Sequence, residues 1–314
     1  MSRTARAIVV GDRTDPHIQA VVERLPRVGL IIVDADALAC VMARLDENTT
    51  TMEDVTGTLV NVDAGLAVRG WIRRLAPAGW DHGVTLGSHR AAVLASRLTL
   101  LAAVLRDPTV TWLTAVDNLF AAENKIVQYR AALAAGVRVP EFAVSADPAV
   151  LADQLGEPFV LKPLGPGNFE DDHGEQRVVF VREARAADLS AVDLKHAPFL
   201  AQRAIRAQLH LRVATVGHEA WVAELDATGL PLDWREHGPA HTSFRPAARW
   251  EEVAKAAVAL AASLRVGFSC QDWVVDDDGP VFLDLNPGGQ WLFLPDAVAR
   301  PATEALAAWL RGSA

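Results

Sequence analysis

Short apolar runs alternate with amphipathic stretches from the start of the chain. Ala7 to Val10 and Gly29 to Val33 are β-type runs, and the segment between them predicts a helix over Ile18 to Leu25 that is capped by Asp15 before Pro16. The order strand, helix, strand predicts an α/β opening. No Gly-x-Gly-x-x-Gly follows the first strand, so a dinucleotide-binding function has no support.

The same alternation continues through the first third of the chain. Gly57 to Asn61 and Leu66 to Arg69 predict a pair of strands around Asp63-Ala64-Gly65. Ser88 to Leu105 predicts a long helix, and Val110 to Trp112 predicts a further strand. We therefore expect an N-terminal α/β domain.

Two lysines and a glycine loop mark the middle of the chain. Lys125 opens a predicted helix that runs to Ala135, and Lys162 ends a predicted strand that begins at Pro158. Gly165 and Gly167 follow that strand. Glycines let backbone N–H groups approach phosphate oxygens, and a lysine adds positive charge there. The alternative for an isolated Lys125 is a solvated helix residue.

The next candidates are arginines. Leu211 to Gly217 and His218 to Leu225 predict a hairpin in which Arg212 shares a face with Ala214 and Val216. A charge on an apolar face is costly without a ligand or partner, so Arg212 is a candidate functional residue. Arg235 stands in an Asp233-Trp234-Arg235 turn, where the alternative is an internal Asp–Arg pair; Arg249 to Leu264 then predicts an amphipathic helix.

The stretch from Asp272 to Trp291 carries the candidate metal ligands. Two β-type runs are joined by an Asp-Asp-Asp-Gly turn, which predicts a hairpin. Asp284 and Asn286 point to one face because strand side chains alternate, and Asp272 lies across from them if the hairpin has a simple register. Three oxygen donors suit Mg²⁺, which fills its other positions with phosphate and water. The alternative is that the acidic turn and the Asn-Pro-Gly-Gly segment are ordinary turn and loop residues without a ligand.

Composition narrows the class of protein. The 314 residues are enough for two or three packed subdomains, and 51% are hydrophobic, with no apolar run approaching the roughly 20 residues of a membrane span. The N-terminus does not read as a signal peptide, and two distant cysteines suggest neither a disulfide framework nor a zinc site. We expect a cytoplasmic protein without a membrane partner.

Charge excludes one class of partner. The net charge of −9 argues against a nucleic-acid footprint, because phosphate backbones are held by Lys and Arg. All but four of the 30 basic residues are Arg, and Lys125 and Lys162 are two of the four lysines. In a chain so rich in arginine, a retained lysine indicates a position that needs a compact ammonium group.

These motifs together resemble the ATP-grasp ligases, and more narrowly the peptide-modifying branch that makes graspetides, or omega-ester-containing peptides. The resemblance covers essentially the whole chain. It rests on five motifs in order, with the Trp71-Ile72-Arg73-Arg74 segment in addition: Asn124-Lys125, Phe159-Val160-Leu161-Lys162-Pro163, Gln202 with Leu211-Arg212-Val213, Asp233-Trp234-Arg235, and Leu283-Asp284-Leu285-Asn286-Pro287-Gly288-Gly289-Gln290-Trp291.

The resemblance implies an α/β (α+β) fold in three parts that clamps ATP between antiparallel sheets. The expected domains are an N-terminal domain over 1–118, a central lid over 119–200 and a C-terminal domain over 201–314. The resemblance implies that Lys125 and Lys162, beside Gly165 and Gly167, contact the phosphates of ATP, and that Gln202 lies on the adenine side. It implies that Asp272, Asp284 and Asn286 bind Mg²⁺ and that Arg212 faces the reacting phosphate. It also implies that Arg235, beside Asp233, positions the acceptor peptide.

Two residues depart from the family pattern. Asp284 stands where the family has Glu, which shortens a ligand by one methylene and could change the number of metal ions. Arg203 stands where the adenine-side hinge often has an acid. The acidic run Glu170 to Glu175 is expected to belong to a mobile lid that excludes water, the alternative being a solvated charge run.

The implied activity is ATP-dependent macrocyclisation of a ribosomal precursor peptide with a leader and a core. An Asp or Glu side chain is activated as an acyl phosphate, and a Ser or Thr hydroxyl or a Lys amine of the same peptide displaces phosphate. The resemblance also implies a homo-oligomer. One alternative is a ligase that joins an amino acid or short peptide to another acceptor; another is a degenerate ATP-grasp protein that binds peptide or nucleotide without turnover.

Overall fold

The strands of the computed structural model form five sheets within the described residues. Those residues are 3–62, 68–77, 79–165, 168–170, 175–178, 181–196 and 199–312. None of the helices they contain is long and apolar enough to cross a lipid bilayer.

A four-stranded parallel sheet and a smaller mixed sheet make up the N-terminal region. The parallel sheet has the strand order β3-β2-β7-β8, and the mixed sheet has the order β1-β6-β5-β4. The elements are β1 (Arg3–Thr4), β2 (Ala7–Val10), α1 (Pro16–Val22), β3 (Leu30–Val33), α2 (Leu38–Val41), β4 (Met42–Leu45), β5 (Thr50–Glu53), β6 (Leu59–Val62), β7 (Val68–Ile72), α3 (His89–Leu105), β8 (Val110–Trp112) and α4 (Val116–Ala122).

The predicted α/β opening is confirmed, with one correction. The Asp15 side chain accepts a hydrogen bond from the His17 amide and caps α1, which ends three residues before the predicted end. The predicted strand pair around Asp63-Ala64-Gly65 is wrong. β6 and β7 lie in different sheets, because β7 pairs in parallel with β2 while β6 pairs with β5 and β1; residues 63–67 between them lie outside the described residues.

The middle of the chain forms an antiparallel sheet of strand order β13-β10-β14-β9 and a separate two-stranded ladder. Its elements are α5 (Lys125–Ala134), β9 (Phe142–Ala143), α6 (Pro148–Leu155), β10 (Phe159–Pro163), β11 (Asn168–Glu170), β12 (Gln176–Val178), β13 (Arg182–Ala184), α7 (Ala191–His196) and β14 (Phe199–Arg203). Within the acidic run predicted as a lid, residues 171–174 lie outside the described residues.

The C-terminal region is a five-stranded antiparallel sheet of order β17-β16-β15-β18-β19. The predicted hairpins at Gly217-His218 and at the acidic turn are both confirmed. The elements are β15 (Leu209–Val216), β16 (Glu219–Asp226), β17 (Arg245–Pro246), α8 (Glu251–Ser263), β18 (Phe268–Asp276), β19 (Gly279–Asn286) and α9 (Asp296–Arg311).

Both faces of this sheet are covered by apolar side chains, but by different partners. One face packs Leu211, Trp273 and Phe282 against α5 and α8. The other packs Ala214 and Phe268 into a core that also contains residues of the N-terminal sheet, such as Val9 and Trp71, and of α9. Because one core joins the first and last parts of the chain, groups distant in sequence are held at one place.

Candidate active site

A cavity of about 710 Å³ lies between the β10–β14 sheet and the β15–β18–β19 sheet. The predicted site residues that line it are Lys125, Lys162, Gly165, Gln202, Asp233, Arg235, Asp272, Asp284 and Asn286. Arg212 joins this set through Asp272, to which it is bonded. Gly167 lies outside the described residues. The described candidates are therefore brought to one place.

A β-bulge at Leu283 sets the register of the predicted metal ligands. Near the turn, Trp273 pairs with Phe282, whereas beyond the bulge Asp272 pairs with Asp284. The sequence predicts Asp272 across from Asp284 in a simple register. Extending the regular register from the Trp273–Phe282 pair would instead place Asp272 opposite Leu283 and turn Asp284 to the other face, so the predicted pairing is confirmed but the simple register is wrong. The extra residue corrects this, so both carboxylates face the cavity.

Arg212, Asp272 and Asp284 form one row across three neighbouring strands. Arg212 is the Cα partner of Asp272, which in turn is the partner of Asp284. The Arg212 guanidinium donates to the Asp272 carboxylate at 2.7 Å and to the Gln290 carbonyl at 3.1 Å. The charge on the apolar face therefore has a partner, and that partner, Asp272, lines the cavity.

Asp284 differs from Asp272 because it forms no hydrogen bond or ion pair with another described residue. Burial raises the pKa of its carboxyl above the usual value, and the nearby Lys125 and Lys162 oppose this rise. A half-buried carboxylate of this kind is stabilised when a cation binds it.

The donor set suits a metal ion that is shared with phosphate. Asn286 accepts the Gly288 amide at 2.9 Å through Oδ1, which retains a second lone pair. Within the described part of the chain, no three His, Cys, Asp or Glu side chains group closely enough to hold an ion. Asp272, Asp284 and Asn286 offer two carboxylates and an amide oxygen, and this oxygen donor set fits Mg²⁺, whose remaining positions phosphate and water would fill.

Gln128 fixes Lys125 beside the carboxylates. The buried Gln128 side chain donates to the Leu285 carbonyl at 2.7 Å and accepts the Leu285 amide at 2.8 Å. This pairing ties α5 to β19 one residue from Asp284, and Lys125 lies one helical turn before Gln128. The helix start is stabilised by Asn124, which accepts the Ile126 amide at 3.0 Å.

Lys162 enters the cavity from the opposite sheet. Its ammonium lies 3.5 Å from the carbonyl of Leu283, the residue at the bulge. Burial lowers the pKa of Lys162 to about 8, although Asp284 and Asp272 raise it. Lys162 therefore holds a costly charge that a phosphate would stabilise.

Tyr129 was missed in the sequence. Its hydroxyl donates to the Leu283 carbonyl at 2.9 Å and accepts a hydrogen bond from Gln202. This contact fixes the side chain of Gln202, which is buried at the wall of the cavity. A signal was present, because Tyr129 is the one tyrosine of the chain, just as the four lysines are rare.

No protein-family model matches the sequence, and no curated protein matches it. Solved structures do match it. Macrocyclase MdnC from Microcystis aeruginosa MRC, bound with precursor peptide MdnA, is 20% identical with a TM-score of 0.81 over 98% of this chain and 100% of that chain. A RiPP-associated ATP-grasp ligase of Chryseobacterium gregarium, in complex with ADP and a leader and core peptide, is 19% identical with a TM-score of 0.81 over 100% and 98%.

A third structure, ATP-grasp ligase PsnB complexed with a precursor variant, Mg and ADP, is 20% identical with a TM-score of 0.68 over 98% of this chain and 99% of that chain. TM-scores of this size over nearly the full length of both chains establish the fold. The chain has the ATP-grasp fold. The fold class predicted from the ordered motifs is thereby confirmed.

The Asp233-Trp234-Arg235 turn also lines the larger cavity. Arg235 donates to both oxygens of Asp233, at 2.7 and 2.6 Å, so the internal pair considered in the sequence exists. Burial would raise the pKa of Asp233, but the paired Arg235 lowers it below the usual value. Just over half of the Arg235 side chain is exposed, at 55%, so it retains donors for a ligand.

The neighbouring strand compensates the unusual Arg203. Glu141 precedes β9, and its carboxylate accepts from the Arg203 guanidinium at 3.0 and 2.6 Å. Arg203 therefore has an acidic partner in the residue that precedes β9.

A second cavity, of about 450 Å³, adjoins the first at Asn286. The N-terminal region and α4 supply most of its lining, including Leu119, Phe120 and Glu123, and Pro287 closes it from the other side. Phe120 is 63% exposed. The predicted metal end of the ATP-grasp site thus opens on one side to a partly apolar space.

Proposed function

We propose that the protein is an ATP-dependent macrocyclase of a peptide substrate, which activates Asp or Glu side chains as acyl phosphates and joins them to Ser or Thr hydroxyls or Lys amines. The observation that carries this proposal is the row of Arg212, Asp272 and Asp284, whose two carboxylates line the cavity together with Lys162. That arrangement presents both cation ligands and cationic donors to a transferring phosphoryl group.

The nucleotide occupies the larger cavity in this proposal. Lys125 and Lys162 hold its phosphates, Gly165 gives the backbone access to them, and Gln202, fixed by Tyr129, lies on the adenine side. Nothing of the described protein lies within 4 Å of a side chain placed at Gly165, which leaves room for a ligand. PsnB, whose fold is similar, was solved with Mg and ADP.

Asp272, Asp284 and Asn286 hold Mg²⁺, which neutralises negative charge on the transferring phosphoryl group when it is bound. Arg212 keeps Asp272 oriented through the 2.7 Å hydrogen bond. Arg212 and Lys162 also place fixed positive charge at the site, which stabilises the transition state for phosphoryl transfer to a carboxylate. A carboxylate is a poor electrophile, and this step converts it into a reactive acyl phosphate.

The second step joins the two side chains of the peptide. A hydroxyl or amine attacks the acyl carbon, the bond from that carbon to the phosphate oxygen breaks, inorganic phosphate leaves, and the proton of the hydroxyl or amine passes to solvent. Arg235 positions the peptide near the acyl phosphate, because more than half of its side chain is exposed to the cavity while Asp233 fixes its orientation.

The second cavity supports a peptide as the substrate class. It adjoins the nucleotide cavity at Asn286 and is lined by apolar groups such as Leu119 and Phe120, which suit a peptide segment better than a free amino acid. Of the proteins of similar fold, MdnC was solved with precursor peptide MdnA and the Chryseobacterium gregarium ligase with a leader and core peptide.

The test is intact mass spectrometry of a short peptide rich in Ser, Thr, Asp and Glu that is encoded beside the gene. The peptide is incubated with the protein, ATP and Mg²⁺, and then treated with mild base. We expect loss of one water for each ring and ADP in equal amount, with regain of water in base for esters. ATP consumption without peptide mass loss, dependent on free amino acids, would instead identify a ligase.

A further inference from the structure

The loop from Pro287 to Gln290, here called the Gly-Gly loop, is held from both sides. On one side, Arg73 at the end of β7 donates to the Gly288 carbonyl. On the other side, Arg212 donates to the Gln290 carbonyl at 3.1 Å. The loop therefore lies between an arginine of the N-terminal sheet and an arginine of the active site.

Arg73 itself is fixed by groups of the N-terminal region. Its side chain is 1% exposed, and its Nε lies 3.3 Å from the Asp15 carboxylate. The other Asp15 oxygen is 3.0 Å from Nδ1 of His17. Because Nε2 of His17 accepts the Trp291 amide at 3.3 Å, the ring proton is on Nδ1 and is donated to Asp15.

The close approach of the loop explains its two glycines. A Cβ at Gly289 would lie 2.4 Å from the Cβ of Cys270, and a Cβ at Gly288 would lie 3.1 Å from the Arg73 carbonyl. The Gly288 amide is also the donor to Oδ1 of Asn286, at 2.9 Å. Peptide 288 thus has its carbonyl held by Arg73 while its neighbouring amide orients the Asn286 side chain.

We propose that Arg73 is a positioning residue, which fixes the Gly-Gly loop so that the Asn286 amide oxygen is presented to the Mg²⁺ of the nucleotide. This inference rests on the proposed function in one respect, the assignment of Asn286 to Mg²⁺. Groups that orient a metal ligand change metal affinity about 10- to 100-fold when they are removed. An interdomain contact without this role would change stability alone.

The test is calorimetric titration of the full-length protein with a non-hydrolysable ATP analogue, with and without Mg²⁺. Arg73→Lys keeps the charge but loses the planar fork that reaches both Gly288 and Asp15. We expect this variant to lose about tenfold or more of the affinity gained from Mg²⁺. Its affinity without Mg²⁺ should be unchanged, because Lys125, Lys162 and Gln202 are untouched.

Arg74→Lys is the matched control. Arg74 is the next residue and is exposed, and its side chain forms no hydrogen bond or ion pair within the described part of the chain, although its backbone amide donates to the Val10 carbonyl at 3.2 Å. The same substitution there should leave both affinities unchanged. Equal loss with and without Mg²⁺ in Arg73→Lys, or no loss in either, would overturn the proposal.

Gly288→Ala provides a second route if Arg73→Lys does not fold. It removes no charge, and its methyl group must displace the loop from the Arg73 carbonyl by a few tenths of an ångström. We expect the same selective loss of the Mg²⁺-dependent affinity; retention of the wild-type value would overturn the proposal. Failure of the proposed function looks different, since wild-type protein would then show the Mg²⁺-dependent affinity without any peptide mass loss.

Discussion

Two clusters of buried and half-buried charge flank the Gly-Gly loop, and they differ in how their charges are paired. The arginine cluster of Arg73, Asp15 and His17 is closed, since each side chain contacts another. The cavity cluster contains Asp284, which forms no hydrogen bond or ion pair with a described residue although Lys125 and Lys162 act on its charge, and Lys162, whose ammonium lies 3.5 Å from a carbonyl. Unpaired buried charges are costly. The difference in pairing therefore distinguishes a structural cluster, whose charges stabilise one another, from a cluster that a ligand would stabilise.

The largest expected effect is on turnover in the cavity cluster. Asp284→Asn keeps the shape of the side chain but removes the charge that would bind the cation. We expect peptide cyclisation to fall at least about a thousandfold. The thermal midpoint of unfolding should stay unchanged or rise, because the substitution removes a half-buried carboxylate charge that no described residue neutralises by an ion pair.

Asp278→Asn is the control for that experiment. It makes the same substitution in the turn of the same hairpin, where the Asp278 side chain is 87% exposed. Turnover should not change. Normal product yield from Asp284→Asn would remove this residue from the metal site.

The arginine cluster should respond in stability. Arg73→Met leaves the Asp15 carboxylate buried without its ion pair, so we expect the free energy of unfolding to fall by about 3 to 5 kcal/mol. Urea denaturation followed by fluorescence measures it, with Arg74→Met as the exposed neighbour that should cost less than about 0.5 kcal/mol. Equal costs for the two variants would show that the cluster is not structural.

His17 makes the stability of the closed cluster depend on pH. Burial, together with Arg73 and Arg74, lowers the pKa of His17 to about 4, although Asp15 raises it. The unfolded chain takes up a proton below about pH 6.5, while the folded chain does not until about pH 4. The free energy of unfolding should therefore fall as pH falls through this window, by about 3 kcal/mol in total.

His17→Gln isolates that contribution, because Gln retains an acceptor for the Trp291 amide and does not titrate. Urea denaturation at pH 7.5 and pH 4.5 gives the loss for each protein. We expect the wild type to lose more stability than the variant. Identical losses would mean that His17 is protonated in the folded protein at the lower pH.

The smallest expected effect concerns Lys162. The pKa of about 8 means that the free protein loses this charge as pH rises above 8. Affinity for an ATP analogue should then fall by up to about tenfold for each pH unit. Calorimetry between pH 7 and pH 9 measures the slope, which Lys162→Met should abolish; a slope that persists in this variant would assign the pH dependence to another group.

Sequence patterns predicted those helices and hairpins whose formation depends on residues close together along the chain. Asp15 and Asn124 cap their helices through amides two residues away, so their roles are visible in a short window. The hairpin at Asp276 to Gly279 is of the same kind. The pair around Asp63 was wrong because β7 found partners in β2 and β8, which a local pattern does not show.

The orientation of the site residues depends on tertiary contacts that residue spacing along the chain does not predict. Counting by two from the acidic turn puts Asp284 on the wrong face, and the bulge at Leu283 reverses this. The Arg73–Gly288 and Gln128–Leu285 contacts join residues more than 150 positions apart. Candidate residues could be predicted from their chemistry and order, while their orientation required the tertiary structure.

The most direct test of the account follows oxygen from peptide to phosphate. The Asp and Glu side chains of the peptide are labelled with the heavy isotope of oxygen, and the inorganic phosphate released during cyclisation is analysed by mass spectrometry. Activation as an acyl phosphate predicts one labelled oxygen transferred to phosphate for each ring that forms. Ring formation with unlabelled phosphate would contradict the account, because the carboxylate would then not have been phosphorylated.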